Sequence, residues 1–228
     1  LDAAERGEST LIGGDGDDVF RSNGGADKMF GEGGNDRFGL DEGRETVGAI
    51  IDGGAGRGTL AVFGTAKGED LTNDTIVDVE VLDAGTRGEA KVIKLTAAQL
   101  QSFEEVQSAT PTERTRLIIQ AVMGTDTSLD LSGLTLTGLS SDRDFFEVIG
   151  DDDAETVSGT EINDVISLAN GANTIFGLGG LDTLTTGDDA DYIDGGDGND
   201  AIDSGAGNDT VIGGNGSEVI IAGDGDDS

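Results

Sequence analysis

Apolar residues recur at every ninth position toward both ends of the chain. From Gly150 the sequence cuts without a gap into GDDDAETVS, GTEINDVIS, LANGANTIF, GLGGLDTLT, TGDDADYID, GGDGNDAID, SGAGNDTVI, GGNGSEVII and a shorter AGDGDDS. Slot eight is apolar in every full unit: Val157, Ile166, Ile175, Leu184, Ile193, Ile202, Val211 and Ile220. Slot six is Asp, Glu or Asn throughout. The frame also appears earlier, as GGDGDDVFR from Gly13, SNGGADKMF from Ser22, GEGGNDRFG from Gly31 and the degenerate LDEGRETVG from Leu40. There slot eight holds Phe20, Met29, Phe38 and Val47. After a frame shift, GGAGRGTLA from Gly53 carries Gly58 in place of the acid. A fixed period of this kind predicts a stacked solenoid. Six polar, Gly-rich residues make a turn and three make a short strand. Side chains alternate across a strand, so slot eight faces one side and slots seven and nine the other.

Residues 59–149 lose the period. Strand-like apolar runs remain: LAVF from Leu60, TIVDVEVL from Thr75, KVIKL from Lys91, RLIIQAV from Arg116, LDLSGLTL from Leu129 and FFEVI from Phe145. Alternation in the second and fifth runs predicts half-buried strands. One helix is expected over TAAQLQSFEEVQ from Thr96, opened by a Thr96/Gln99 capping box and ended before Pro111. It is expected to cap or flank the stack, with partner binding as the alternative. The division that follows is a repeat block over 11–58, an irregular solenoid-like middle over 59–149 and a second repeat block over 150–228. A separate α+β insert is the competing view of the middle.

Charge changes the picture. The chain carries 47 acidic and 13 basic residues, a net charge of -34, and residues 150–228 hold no Lys or Arg at all. Such a field repels nucleic acid and anionic lipid and attracts cations. This much charge with few aromatics usually means disorder, but the regular apolar slot points to order that depends on conditions. The 40 glycines sit at fixed offsets, where the backbone takes positive φ or approaches a neighbour closely. There is no Cys and no His, so disulfides, thiol chemistry and zinc sites of the usual kind are out. No apolar run approaches the roughly 18 residues of a membrane span. The opening LDAAERGEST has no cationic, apolar signal, so general secretory export is not expected from it.

Stacking brings the slot-six acids into register. One buried Ile or Val per unit offsets only part of the entropy of ordering a Gly-rich segment. Without a cation the repeats are therefore expected to be loose or unfolded. A turn of Gly and Asp offers carboxylate and carbonyl oxygens, the ligands that calcium takes in a flexible shell. Magnesium demands stricter geometry.

The units resemble the RTX nonapeptide GGxGxDxUx, in which U is a large apolar residue. GGDGDDVFR and GGDGNDAID match every specified slot. The resemblance implies an all-β fold, a right-handed parallel β-roll or β-solenoid in which two units make one coil and unit n lies on unit n+2. It also implies slot-six calcium ligands at Asp18, Asp27 and Asp36, then at Asp164, Asp182, Asp191, Asp200, Asp209 and Asp227. Carbonyl ligands are implied at the turn positions Gly13, Asp15, Gly31, Gly33 and Gly34 in the first block. In the second they fall on Gly177, Gly179, Gly180, Gly187, Asp189, Gly195, Gly196, Asp197, Gly198, Gly205, Ala206, Gly207, Gly214, Gly216, Gly223 and Gly225. Glu45 and Glu155 are longer, Asn173 is neutral, and Ile162 stands where Gly normally turns a carbonyl to the ion. The second block is thus expected to fill mainly from about Gly177 onward, with roughly four to seven ions in the whole chain.

Catalysis is not expected. No GxSxG elbow, HExxH helix or P-loop is present, and RTX-type proteases, lipases and epimerases use His. Three non-catalytic roles remain. The first is a calcium-stiffened segment of a secreted surface, adhesion or surface-layer protein. The second is the calcium-dependent tail of a type I secreted enzyme. The third, an ice-binding solenoid, is disfavoured because the third turn slot lacks Thr. Two repeat blocks flanking other structure favour the first, extracellular and without membrane insertion, with a cell-surface glycan or self-association as partner. The repeat cut at Ser228 suggests a longer protein.

Overall fold

The computed structural model describes residues 1–3, 7–22, 24–40, 48–62, 69–85, 91–108 and 116–228. The chain divides into two compact units. Unit 1 takes Leu1–Leu95, Ser102–Leu117 and Leu134–Leu139; unit 2 takes Thr96–Gln101, Ile118–Gly133 and Ser140–Ser228. The expected middle, 59–149, is thus shared between them.

In unit 2 the short strands stack in parallel at a step of 18 residues. One ladder runs through Thr156–Ser158, Thr174–Phe176, Tyr192–Asp194 and Thr210–Ile212, with Val157, Ile175, Ile193 and Val211 in register. The other runs through Asp164–Ser167, Thr183–Thr185, Ala201–Asp203 and Val219–Ile221, with Ile166, Leu184, Ile202 and Ile220 in register. Two nine-residue units therefore close one coil, as the resemblance to the RTX nonapeptide implies. Slot eight fills the core: Val157, Ile166, Ile175, Leu184 and Ile193 are fully buried. Ile220, on the last coil, is 44% exposed because no later strand covers it. The chain is an all-β, parallel solenoid with a single short helix among the described residues.

Longer coils precede the repeats. Ser128–Asp130 pairs with Thr156–Ser158, and Leu117–Val122 with Phe145–Ile149. The helix is shorter than expected, spanning Ala97–Gln101 only. Its start is as read. The Thr96 N–H donates to Gln99 Oε1 at 2.8 Å, and the Gln99 N–H donates to Thr96 Oγ1 at 3.1 Å. The remaining residues do not continue it, because Glu105–Gln107 is a strand held between two ladder neighbours, Val81–Asp83 and Thr135–Thr137. Ladder pairing on both sides outweighs a modest helix propensity. Pro111, read as the stop, lies outside the described residues.

Unit 1 begins at the same step. Thr10 pairs with Lys28 and Val19 with Arg37, which lays Phe20 on Phe38 with ring centroids 4.8 Å apart. The step then grows to 22 residues, as Lys28 meets Ile50 and Arg37 meets Thr59. Two runs read as single strands break in two. Thr75–Val77 and Val81–Asp83 join different sheets, with the corner made by Asp78 at φ 49°. Ser128–Asp130 and Thr135–Thr137 separate in the same way. Alternation marks strand character but not the corner inside the run.

Candidate metal centre

Each turn ends in slot six, and there the coils clasp one another. The Asp164 N–H donates to Asp182 Oδ1 at 2.9 Å, and the Asp182 N–H donates to Asp200 Oδ1 at 2.9 Å. The Asn173 N–H reaches Asp191 Oδ1, the Asp191 N–H reaches Asp209 Oδ1 and the Asp209 N–H reaches Asp227 Oδ1. In unit 1 the Asp18 N–H meets Asp36 Oδ1 at 2.8 Å. One carboxylate oxygen is thus used to bind the previous coil. Slot five answers in the opposite direction: Asn163 and Asn199 accept the N–H groups of Leu181 and Ser217, one coil on.

The second oxygen is the informative one. Asp36 Oδ2, Asp182 Oδ2, Asp191 Oδ2, Asp200 Oδ2 and Asp209 Oδ2 are buried and accept no hydrogen bond. A buried, unpaired anionic oxygen is strongly unfavourable, so these turns call for positive charge. Glycine at slot one makes the room. A Cβ on Gly195 would lie 2.6 Å from Gly213 O and 2.8 Å from Asp200 Oδ2. At Gly13 it would lie 2.6 Å from Asp18 Oδ2 and 2.9 Å from Gly31 O. A carboxylate oxygen and a carbonyl of the next coil therefore converge beside each of these glycines. Hard oxygen donors of both kinds, with no nitrogen or sulfur, fit calcium. Among the described residues no three His, Cys, Asp or Glu side chains come together to hold an ion, so backbone carbonyls have to complete any shell.

The remaining turn residues set the backbone. Gly34, Gly180, Gly196, Gly198, Gly205, Gly214, Gly216, Gly223 and Gly225 all adopt positive φ, as does Asp189 at φ 84°. Gly187 O accepts the Ala206 N–H at 3.0 Å, and Gly179–Gly180 pairs with Asp197–Gly198. Asp15 pairs with Gly33. At Gly207 a Cβ would overlap Asp189 O.

Burial is the leading cause of shifted acidity here. It pushes Asp182 up to about 8 and Asp164 to about 7, and it raises Asp191, Asp200 and Glu155. Backbone N–H donors pull the other way at each, and the Asp164 and Asp200 charges push Asp182 up further.

Not every slot-six side chain is left wanting. Ser22 Oγ donates to Asp27 Oδ2 at 2.7 Å. Asp164 Oδ2 accepts the Thr160 N–H at 2.7 Å and the Thr160 hydroxyl at 3.2 Å. Asn173 Nδ2 donates to Ala169 O at 3.0 Å, so its amide serves the turn carbonyls itself. Conversely, Glu155 Oε2 and Glu218 Oε1, outside the predicted ligand set, are buried and unpartnered. Their presence in slot six was a signal for them; the hydroxyls Ser22 and Thr160 satisfy Asp27 and Asp164, whereas the slot-one hydroxyls Thr186 and Ser204 leave Asp191 Oδ2 and Asp209 Oδ2 without a partner.

The family of the RTX calcium-binding nonapeptide repeat matches the chain in four copies, over residues 6–38, 149–184, 177–211 and 212–228. No curated protein matches the chain. Such repeats bind calcium. The period of 18 residues per coil, the buried slot-eight core and the oxygen-lined turns agree with that match, and the chain is an RTX-repeat protein.

Proposed function

We propose that this chain is a calcium-ordered β-roll segment of an extracellular surface or adhesion protein, structural rather than catalytic, which folds after type I export. The observation that carries this reading is the row of buried carboxylate oxygens without partners in the repeat turns. A bound calcium ion supplies the positive charge those turns need. The chain's own part is to hold the acids one coil apart through the slot-six N–H groups and to present carbonyls beside the slot-one glycines.

Extracellular calcium modules work near 10⁻⁴–10⁻³ M, far above cytosolic levels. Before export the acids repel one another and keep the chain extended; outside, binding to the folded stack alone converts binding energy into folding energy. The surface role is favoured over an enzyme tail by two repeat regions set around about 90 residues of other structure. Its partner would be a cell-surface glycan or further copies of the chain.

A circular-dichroism titration from chelator into millimolar calcium tests the reading. A rise of β signal with calcium is expected; a spectrum indifferent to chelator would remove the calcium-driven fold.

A further inference from the structure

The turns of unit 2 lie on two lines, because each turn stacks on the one 18 residues later. The first line opens with Gly159, Gly177, Gly195 and Gly213. The second opens with Gly150, Leu168, Thr186, Ser204 and Ala222. On the first line glycine is needed for space. A Cβ at Gly177 would overlap Gly195 O and sit 2.6 Å from Asp182 Oδ2. No hydrogen bond among the described residues ends on Gly177 O, Gly195 O or Gly213 O. Gly195 O and Gly213 O lie beside the buried, unpartnered Asp182 Oδ2 and Asp200 Oδ2 and are free to serve a cation, whereas Gly177 O lies beside Asp164, which Thr160 already satisfies.

The second line differs at the same place. Thr186 and Ser204 carry side chains there, and both are buried. Thr186 Oγ1 donates to Ser204 O at 3.1 Å, and Ser204 Oγ donates to Ala222 O at 3.1 Å. These are the carbonyls equivalent to Gly195 O and Gly213 O. Here a hydroxyl of the chain already occupies the position that the glycine line leaves to the ion. Asp191 Oδ2 and Asp209 Oδ2 remain unpartnered, so this line still calls for charge while offering it fewer free oxygens.

We propose that the two lines bind calcium as two classes, tighter on the line of Asp182 and Asp200 and weaker on the line of Asp191 and Asp209. The hydroxyls of Thr186 and Ser204 act as competitors for the slot-one carbonyls. One net hydrogen bond to a carbonyl corresponds to about five-fold in affinity per site. The idea rests on the calcium-ordered reading above.

The test is isothermal titration of the full chain with calcium from the chelated state, with the β signal followed in parallel so that the heat of folding is assigned. Wild type is expected to show two classes. Thr186→Val with Ser204→Ala keeps most of the side-chain volume and removes the donors; it should tighten the weak class about five-fold per site. Thr186→Ser, which keeps a hydroxyl, should leave both classes in place. Amide resonances of Asp182 and Asp191 report the two lines separately, and Asp182 should respond at lower calcium. Weaker binding in the donor-free variant would make the hydroxyls ligands and overturn the proposal. A single class in wild type, unchanged in the variant, would overturn it as well. Absence of any calcium response would instead sink the underlying reading.

Discussion

The repeat stack of unit 2 and the longer coils of unit 1 solve one problem in two ways. Both bring polar turn atoms into register, coil upon coil. In the repeats, acids face one another at a step of 18 residues, and residues 150–228 contain no basic side chain to meet them. In unit 1, where the step reaches 22 residues, the cations belong to the chain. Arg37 pairs with Asp83 at 2.7 Å, and Arg57 spans Glu104 and Glu105 at 2.9 and 2.8 Å. The buried Lys91 ammonium donates to Val62 O and to Ala84 O, the latter at 2.9 Å. Where slot six is Gly58, its N–H is still taken by an acid one coil on, Glu80 through Oε2. The difference teaches that a regular coil outsources its positive charge to solution, whereas an irregular coil carries it covalently.

The strongest way to break this comparison is to withdraw calcium. In chelator, amides of the strands from Thr183–Thr185 to Val219–Ile221 should lose hydrogen-exchange protection, while those of Thr59–Val62 and Val81–Asp83 keep theirs. Equal loss in both sets would erase the distinction. Next in size is Lys91→Met. Its removal leaves two buried carbonyls without the ammonium, at about 1–3 kcal/mol each, so the urea midpoint of unit 1 should fall at saturating calcium. An unchanged midpoint would show that the tethered cation is dispensable.

A proton should replace the missing cation in the repeats. The acids Asp182 and Asp164 have folded-state values of about 8 and about 7, above the ordinary carboxylate value near 3.9. For a raised acid, the stability it lends is complete below the unfolded value and is lost as pH rises through the folded value. Chelated protein should therefore gain β signal as pH falls from 8 toward 4. A flat profile would contradict it.

The smallest effect sharpens the comparison from the other side. Arg57→Gln removes two pairs held by an exposed guanidinium, and solvent screens such pairs, so the midpoint should barely move. A large shift would mean that the exposed arginine matters as much as the buried lysine.

Much of the stack was legible because its period is rigid. Slot eight named the core, and slot six named the acids that stacking brings into register; that one oxygen of each would clasp the previous coil was not read. The Thr96/Gln99 box placed a helix start to the residue, since capping is local chemistry. What escaped was set by neighbours two dozen residues away. The corner at Asp78 depends on a carbonyl approaching Gly53 and Gly58, and Glu105–Gln107 is a strand because of the strands beside it. At the candidate site, the acid positions could be read from slot six, but which acids lacked a partner could not. That depended on Ser22, Thr160 and Asn173, each a small polar side chain in an otherwise ordinary turn.

The two-way clasp has a mechanical meaning. Slot six reaches back to the coil before it and slot five reaches forward to the coil after it, so an interior coil is fastened on both sides and only an end coil can peel. A stack built this way yields to tension in quanta. Each coil that gives way frees 18 residues, roughly 59–65 Å of extended chain, and the ions it held can be recovered from solution when the load is released.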